Sequence, residues 1–478
     1  MVSLAMAALT VIAAPPANIE LTVYNQGFGL VKEERTLDLK AGEQEIAIED
    51  VASMIESNSV GILSLSDPGS FTVLEQNYRF DLISPQAILN KAVGQKITIV
   101  RVLPNGGKET IRGTLLSAPT SVISHGNGDS NMTYNGLVLR ADDGRIILNP
   151  YGEIQVDSIP KGLISKPTLV WLLNAQKGGA NKAQLSYLTQ GMSWTADYVL
   201  NLNKDGNLGT LKGWVTLTNQ SGASYENAKL KLLAGEVQRI RDQMNRGGGF
   251  GGGRAPAADA MKMVEEESIG EYHLYTVTRP TTVANNESKQ VSLLEAVDIP
   301  VKKKLLVDAM RMYPRWRPQE GEVGTGPISP LFMVEFVNDK QSNLGMPMPE
   351  GRVKVLQPDS TNSLQLMGED QIRHTPKDEH VTLAIGRSFD VVAERKRTSF
   401  RWINGNASEG CTETFEIEVR NRKDKPETVH VWERPWGDWK ITEKNVDYKA
   451  LDSNTLEFQL NLAANEVKKI IYTIETRW

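Results

Sequence analysis

Between Leu185 and Val237 the chain carries four strand-like runs, each closed by turn residues, and no other stretch restricts the fold as strongly. Tyr198, Leu200 and Leu202 share one face of an alternating run, the period-2 pattern of a half-buried strand. Leu230 and Leu232 alternate with Lys229 and Lys231, so one face is dry and one wet. Trp194 and Trp214 read as core residues of this stretch. Asn219-Gln220-Ser221-Gly222 is a turn between its last two strands. The fold class expected is all-β: several antiparallel, immunoglobulin-like β-sandwiches, a small SH3- or Sm-like barrel, and few short helices.

A chain of 478 residues has room for about three or four domains. Residues 1–17 read as a secretory signal peptide: Leu4 to Ala14 is apolar but shorter than the roughly 20 residues that span a bilayer. Cleavage is expected after Ala14 or Ala17, which places the protein in the periplasm or outside the cell. No later segment has transmembrane length, so an integral membrane protein is not expected.

Residues 18–82 read as an N-terminal sandwich, with Ile19, Leu21 and Val23 on one strand face. Residues 83–162 read as a short helix and the small barrel. Ser84 caps the helix, Pro85 takes its first position, and Ile88, Leu89, Ala92 and Val93 form its stripe. Five short strands follow, and the polar stretch from His125 to Asn131 reads as a loop. Residues 163–400 read as the central sandwich, beginning with strands at 167–173 and 183–188. A Gly-rich insertion, 241–270, interrupts it. The run Arg246 to Arg254 lacks the Gly-Lys-Ser/Thr ending of a phosphate loop and reads as flexible, with a transient helix over Ala255 to Ser268. Residues 401–478 read as a closing immunoglobulin-like sandwich, with Phe415, Ile417 and Val419 facing Leu456, Phe458 and Leu460.

The strings at 191–202 (GMSWTADYVLNL), 213–237, 288–295 and 374–391 resemble a bacterial exported family of unknown function related to the mucoidy-inhibitor A proteins. The resemblance covers about 165–478. It implies an all-β exported fold and no particular reaction.

The net charge of −5 is spread along the chain, which argues against nucleic acid as a partner. The one cysteine, Cys411, reads as a buried or half-buried free thiol. No nucleophile elbow, P-loop or dinucleotide fingerprint occurs. Two candidate sites remain. His374, Asp378, Glu379 and His380 offer imidazole and carboxylate donors to a metal, and Pro376 makes their run a turn. Trp432, Trp436 and Trp439 flank a turn where exposed indoles could stack on a sugar or a protein partner. The expected function is therefore a non-enzymatic envelope scaffold or binding protein without a cofactor, whose partner is an envelope protein or a glycan. The other readings are glycan binding through the Trp432–Trp439 turn and a metal-dependent hydrolase built on His374, Glu379 and His380.

Overall fold

The computed structural model describes residues 11–12, 14–104, 106–118, 120–126, 129–239, 264–309, 318, 320–321 and 324–478. They are mostly strand, with one α-helix. The chain divides into two compact units: residues 1–193, 218–231 and 279–287, and residues 194–217, 232–278 and 288–478.

The first unit opens with β1 (Val11–Ile12), β2 (Ala17–Tyr24), β3 (Phe28–Leu39), β4 (Gly42–Glu49), β5 (Gly61–Ser64) and β6 (Phe71–Arg79). The helix α1 (Pro85–Lys91) follows, capped by the Ser84 hydroxyl as expected, but it stops before Val93, which is 45% exposed. Next come β7 (Lys96–Val102), β8 (Lys108–Ser117), β9 (Thr120–Gly126), β10 (Asp129–Asn135), β11 (Val138–Ala141), β12 (Ile146–Leu148) and β13 (Glu153–Val156). Then β14 (Thr168–Ala175) and β15 (Gly179–Gln190) return to the first strands.

β14 lies between β4 and β6, and β15 lies between β3 and β5. The N-terminal sandwich expected over 18–82 thus needs 168–190, which the sequence pattern assigns to the central sandwich. Alternation identifies a strand but not its partner, and these partners are 89 to 162 residues away. Trp171 is fully buried, and its indole N–H donates to Gln76 Oε1 at 2.9 Å. That bond spares a buried polar atom its desolvation cost.

The small barrel region is a five-stranded sheet in the order β12-β11-β8-β7-β13, with the last strand returned beside the first. Ile97, Ile99, Leu115 and Leu139 form its core, and Leu89 of α1 packs on it. The described part of the stretch read as a loop, His125 to Asn131, is instead strand: His125 and Gly126 of β9 pair with Ser130 and Asp129 of β10. At the base of this region Leu82 and Ile164 pair in parallel, with Ile83 N–H donating to Ile164 O at 3.0 Å.

The chain passes into the second unit through β16 (Met192–Leu202) and β17 (Leu208–Asn219), and β18 (Tyr225–Ala234) begins back in the first. β19 (Val264–Ile269) and β20 (Tyr272–Val277) form a hairpin in the second unit, turning at Gly270 with φ +62°. Most of the Gly-rich insertion lies outside the described residues. Its end, read as helix or unordered, is strand β19, because Val264 is fully buried and the hairpin pairs all six of its residues. β21 (Thr281–Val283) pairs with β18 in the first unit.

The remaining strands belong to the second unit. They are β22 (Glu287–Pro300), β23 (Lys302–Asp308), β24 (Gly326–Ile328), β25 (Leu331–Val337), β26 (Gly351–Pro358), β27 (Leu364–Ile372), β28 (His380–Arg387), β29 (Val391–Trp402), β30 (Gly410–Asn421), β31 (Glu427–Glu433), β32 (Asp438–Lys444), β33 (Tyr448–Asp452), β34 (Thr455–Leu462) and β35 (Val467–Arg477). One sheet runs β22-β17-β16-β26-β27. Trp194 is buried there, but Trp214 is 39% exposed, contrary to its reading as core: β17 buries Val215 and Leu217, so Trp214 points outward. Two further sheets, β28-β25-β23-β31-β34-β33 and β24-β29-β30-β35-β32, enclose a core of Phe415, Ile417, Val431, Phe458 and Tyr472. The closing sandwich expected over 401–478 therefore takes in strands from as early as β23. One of its pairings, β23 with β31, is parallel, which requires a long crossover rather than a hairpin.

One device recurs three times. Asn219, Asn338 and Asn421 each stand at or just past a strand end, fully buried. Each amide group donates to two carbonyls of flanking loops: Ala223 and Ala284, Met346 and Pro376, Lys425 and Ala463, all at 2.8–3.0 Å. Each side-chain oxygen accepts a backbone N–H, from Ser221, Gly345 or Lys423. Only a side chain with both donors and acceptor can satisfy buried loop backbone in this way.

Candidate binding surface

The run 374–380 is built as a clamped turn. Asp378 takes a left-handed φ of +65°, and its N–H donates to Asn338 O at 2.7 Å. The Asn338 N–H donates to Glu379 O at 2.8 Å. His374 Nδ1 accepts the Glu350 N–H at 3.1 Å. The side chains of His374, Asp378, Glu379 and His380 are exposed, and no group of three or more potential metal ligands occurs among the described residues.

The three tryptophans of the 432–439 turn do not share one surface. Val431 and Glu433 face the core of the closing sandwich, so Trp432 between them faces outward. Its indole N–H donates to Glu457 Oε1 at 3.0 Å, and Lys304 Nζ and Arg434 Cζ stand 5.1 and 5.4 Å from its ring centre. Burial would raise the Glu457 carboxyl, but the Trp432 hydrogen bond, with His430 and Lys304 beside it, holds it below its ordinary value. Trp436 and Trp439 instead lie at the end of the sandwich.

That end is lined by aromatic rings. Register places Trp402, Cys411, Thr476 and Trp439 in one row across β29, β30, β35 and β32. Trp478 follows β35, and its ring centre lies 6.1 Å from Trp402 and 5.8 Å from Trp436. Phe400 meets Trp402 edge-on at 4.7 Å, and Trp402 donates to Glu320 Oε1 at 2.7 Å. Trp439 donates to Ser453 O at 2.8 Å. All four indoles are half-buried, which leaves part of each ring open to contact. Cys411, within the row, is fully buried.

The same sandwich holds a set of buried charges. Arg395 donates to both oxygens of Glu433, at 2.8 and 2.7 Å, and to Gly324 O at 2.7 Å. The Tyr472 hydroxyl donates to Glu433 Oε2 at 2.7 Å, and the Arg395 guanidinium covers the Phe415 ring at 3.7 Å. Burial disfavours the charge on Arg395, yet Glu433 and Tyr472 hold its pKa above the ordinary value. Arg397 pairs with Glu413 at 2.8 Å, and Arg434 with Asp308 at 3.2 Å. Each of these buried carboxylates is thus neutralised by its own arginine.

Trp402 and Trp478 escape a sequence reading because they are 76 residues apart and only the β29-β30-β35 register joins them. Their one local sign is that each sits where a strand ends. Compared with known proteins, the chain matches no protein-family model and no curated protein.

Proposed function

We propose that this chain is an exported, non-enzymatic binding protein of the bacterial cell envelope, and that the aromatic end of its closing sandwich holds a glycan. The chain of half-buried indoles Trp402, Trp478 and Trp436 carries this reading. Flat, partly apolar faces with a polar N–H edge suit the alternating apolar and hydroxyl surfaces of a sugar ring. Asn404, Asn406 and Glu409, exposed on the loop after Trp402, supply amide and carboxylate groups of the kind that bond hydroxyls. The mutual pairing of the buried charges supports binding over catalysis. The leader-like N-terminus and the resemblance of 165–478 to an exported family support the envelope assignment.

The test is a tryptophan-fluorescence titration with soluble cell-wall glycan fragments. Saturable quenching is expected, weakened at least tenfold in Trp436→Ala, since central aromatic anchors carry much of a binding energy. Absence of any response across a panel of envelope glycans would sink the glycan reading.

A further inference from the structure

Val11, Ile12 and Ala14, which lie in the run expected to leave as a signal peptide, pair with strands of the first unit. Val11 and Ile12 add to the β4 edge as a parallel strand, opposite Ile46 and Ala47. Beyond them the Ala14 N–H donates to Thr36 O at 3.3 Å, and Arg35 Nη1 donates to Ala14 O at 3.0 Å. Arg35 is only 3% exposed, and Glu33 is its buried partner, with Nε to Oε1 at 2.9 Å. On β4 three successive residues, Ile46, Ala47 and Ile48, are buried, so the strand is covered on both faces where β1 joins it.

We infer that the β4 edge with Arg35 is a strand-accepting site, filled in the exported protein by an extended apolar strand of a partner protein. This rests on the export reading above: cleavage after Ala14 or Ala17 removes β1 and leaves the β4 edge open. An open edge presents unpaired backbone groups that another chain can complete. The segment seated there defines the occupant, an extended strand with β-branched residues at its paired positions (Val11 and Ile12) and, beyond them, a carbonyl placed for Arg35. Main-chain pairing gives the affinity, and the buried guanidinium fixes the register by a charge-assisted bond.

The experiment uses the full chain with a protease site inserted between Pro16 and Ala17, cut after folding. A fluorescent peptide of residues 8–16 (ALTVIAAPP) is then added and its anisotropy followed. One saturable site is expected on the cut protein and none on the uncut protein. Arg35→Lys should weaken uptake about tenfold. A peptide with proline at Val11 and Ile12 should not enter, a control that leaves the protein unchanged. Failure of a cut, still folded protein to take up the peptide overturns the site, as does equal uptake of the proline peptide. The export reading is judged separately by the mass of the chain recovered from the periplasm. A chain still carrying residues 1–17 overturns cleavage, and with it an open site in the cell, whatever the peptide does.

Discussion

Two of the buried arginine–glutamate pairs differ in completeness. Arg395 and Glu433 sit on different sheets of the closing sandwich and bond through both forks of the guanidinium, with Tyr472, Gly324 and the Phe415 ring taking up the rest. Glu33 and Arg35 sit two residues apart on one strand and share one aligned bond, and the guanidinium reaches outside the pair to Ala14. Burial raises the Glu33 carboxyl, and Arg35 offsets this only in part. The lesson is about closure. A buried charge satisfied by residues from several strands ties a sandwich together, while one completed by the backbone of Ala14 gives that segment a role of its own.

The sharpest way to break the contrast is Glu433→Ala, which strands the Arg395 charge. A loss of about 3–5 kcal/mol in urea-unfolding stability is expected. A loss no greater than that of an ordinary core truncation would show the pair to be incidental. Tyr472→Phe keeps the ring on Phe415 and removes one bond to a charged acceptor; about 1.5 kcal/mol should be lost in the same measurement. The smallest effect concerns Glu33. Its folded-state pKa lies above the unfolded value, so the folded state binds more protons between the two. Its contribution is therefore greatest below the ordinary glutamate value and is lost as pH rises through the raised folded one. Glu33→Gln should flatten that decline in a series of unfolding curves. An unchanged slope would mean that Arg35 compensates the burial of Glu33 in full.

Much of the fold is legible locally. Alternation alone places Leu21 and Val23, or Phe415, Ile417 and Val419, on buried faces, and Ser84-Pro85 marks the helix start. What local pattern does not carry is partnership. It does not tell that β14 enters between β4 and β6, or that Trp402 meets Trp478. It also misleads at Trp214, where the size of an indole suggests burial and the strand's parity decides otherwise. The three buried asparagines escape for a similar reason. Each lies in a polar, turn-like string, such as Asn421-Arg422-Lys423-Asp424, that reads as solvent-exposed until the carbonyls it gathers are known.

The pairing of Leu82 with Ile164 has one more consequence. The more than 80 residues between them start and finish at neighbouring points, so to the surrounding sheets they are equivalent to a hairpin loop. The cost of closing a loop grows only slowly with its length. The first unit is thus a host that could accept, in place of the helix and five-stranded sheet, any module whose two ends lie one strand spacing apart. Evolution can exchange that cassette, and so can an engineer, without redesigning the frame that carries it.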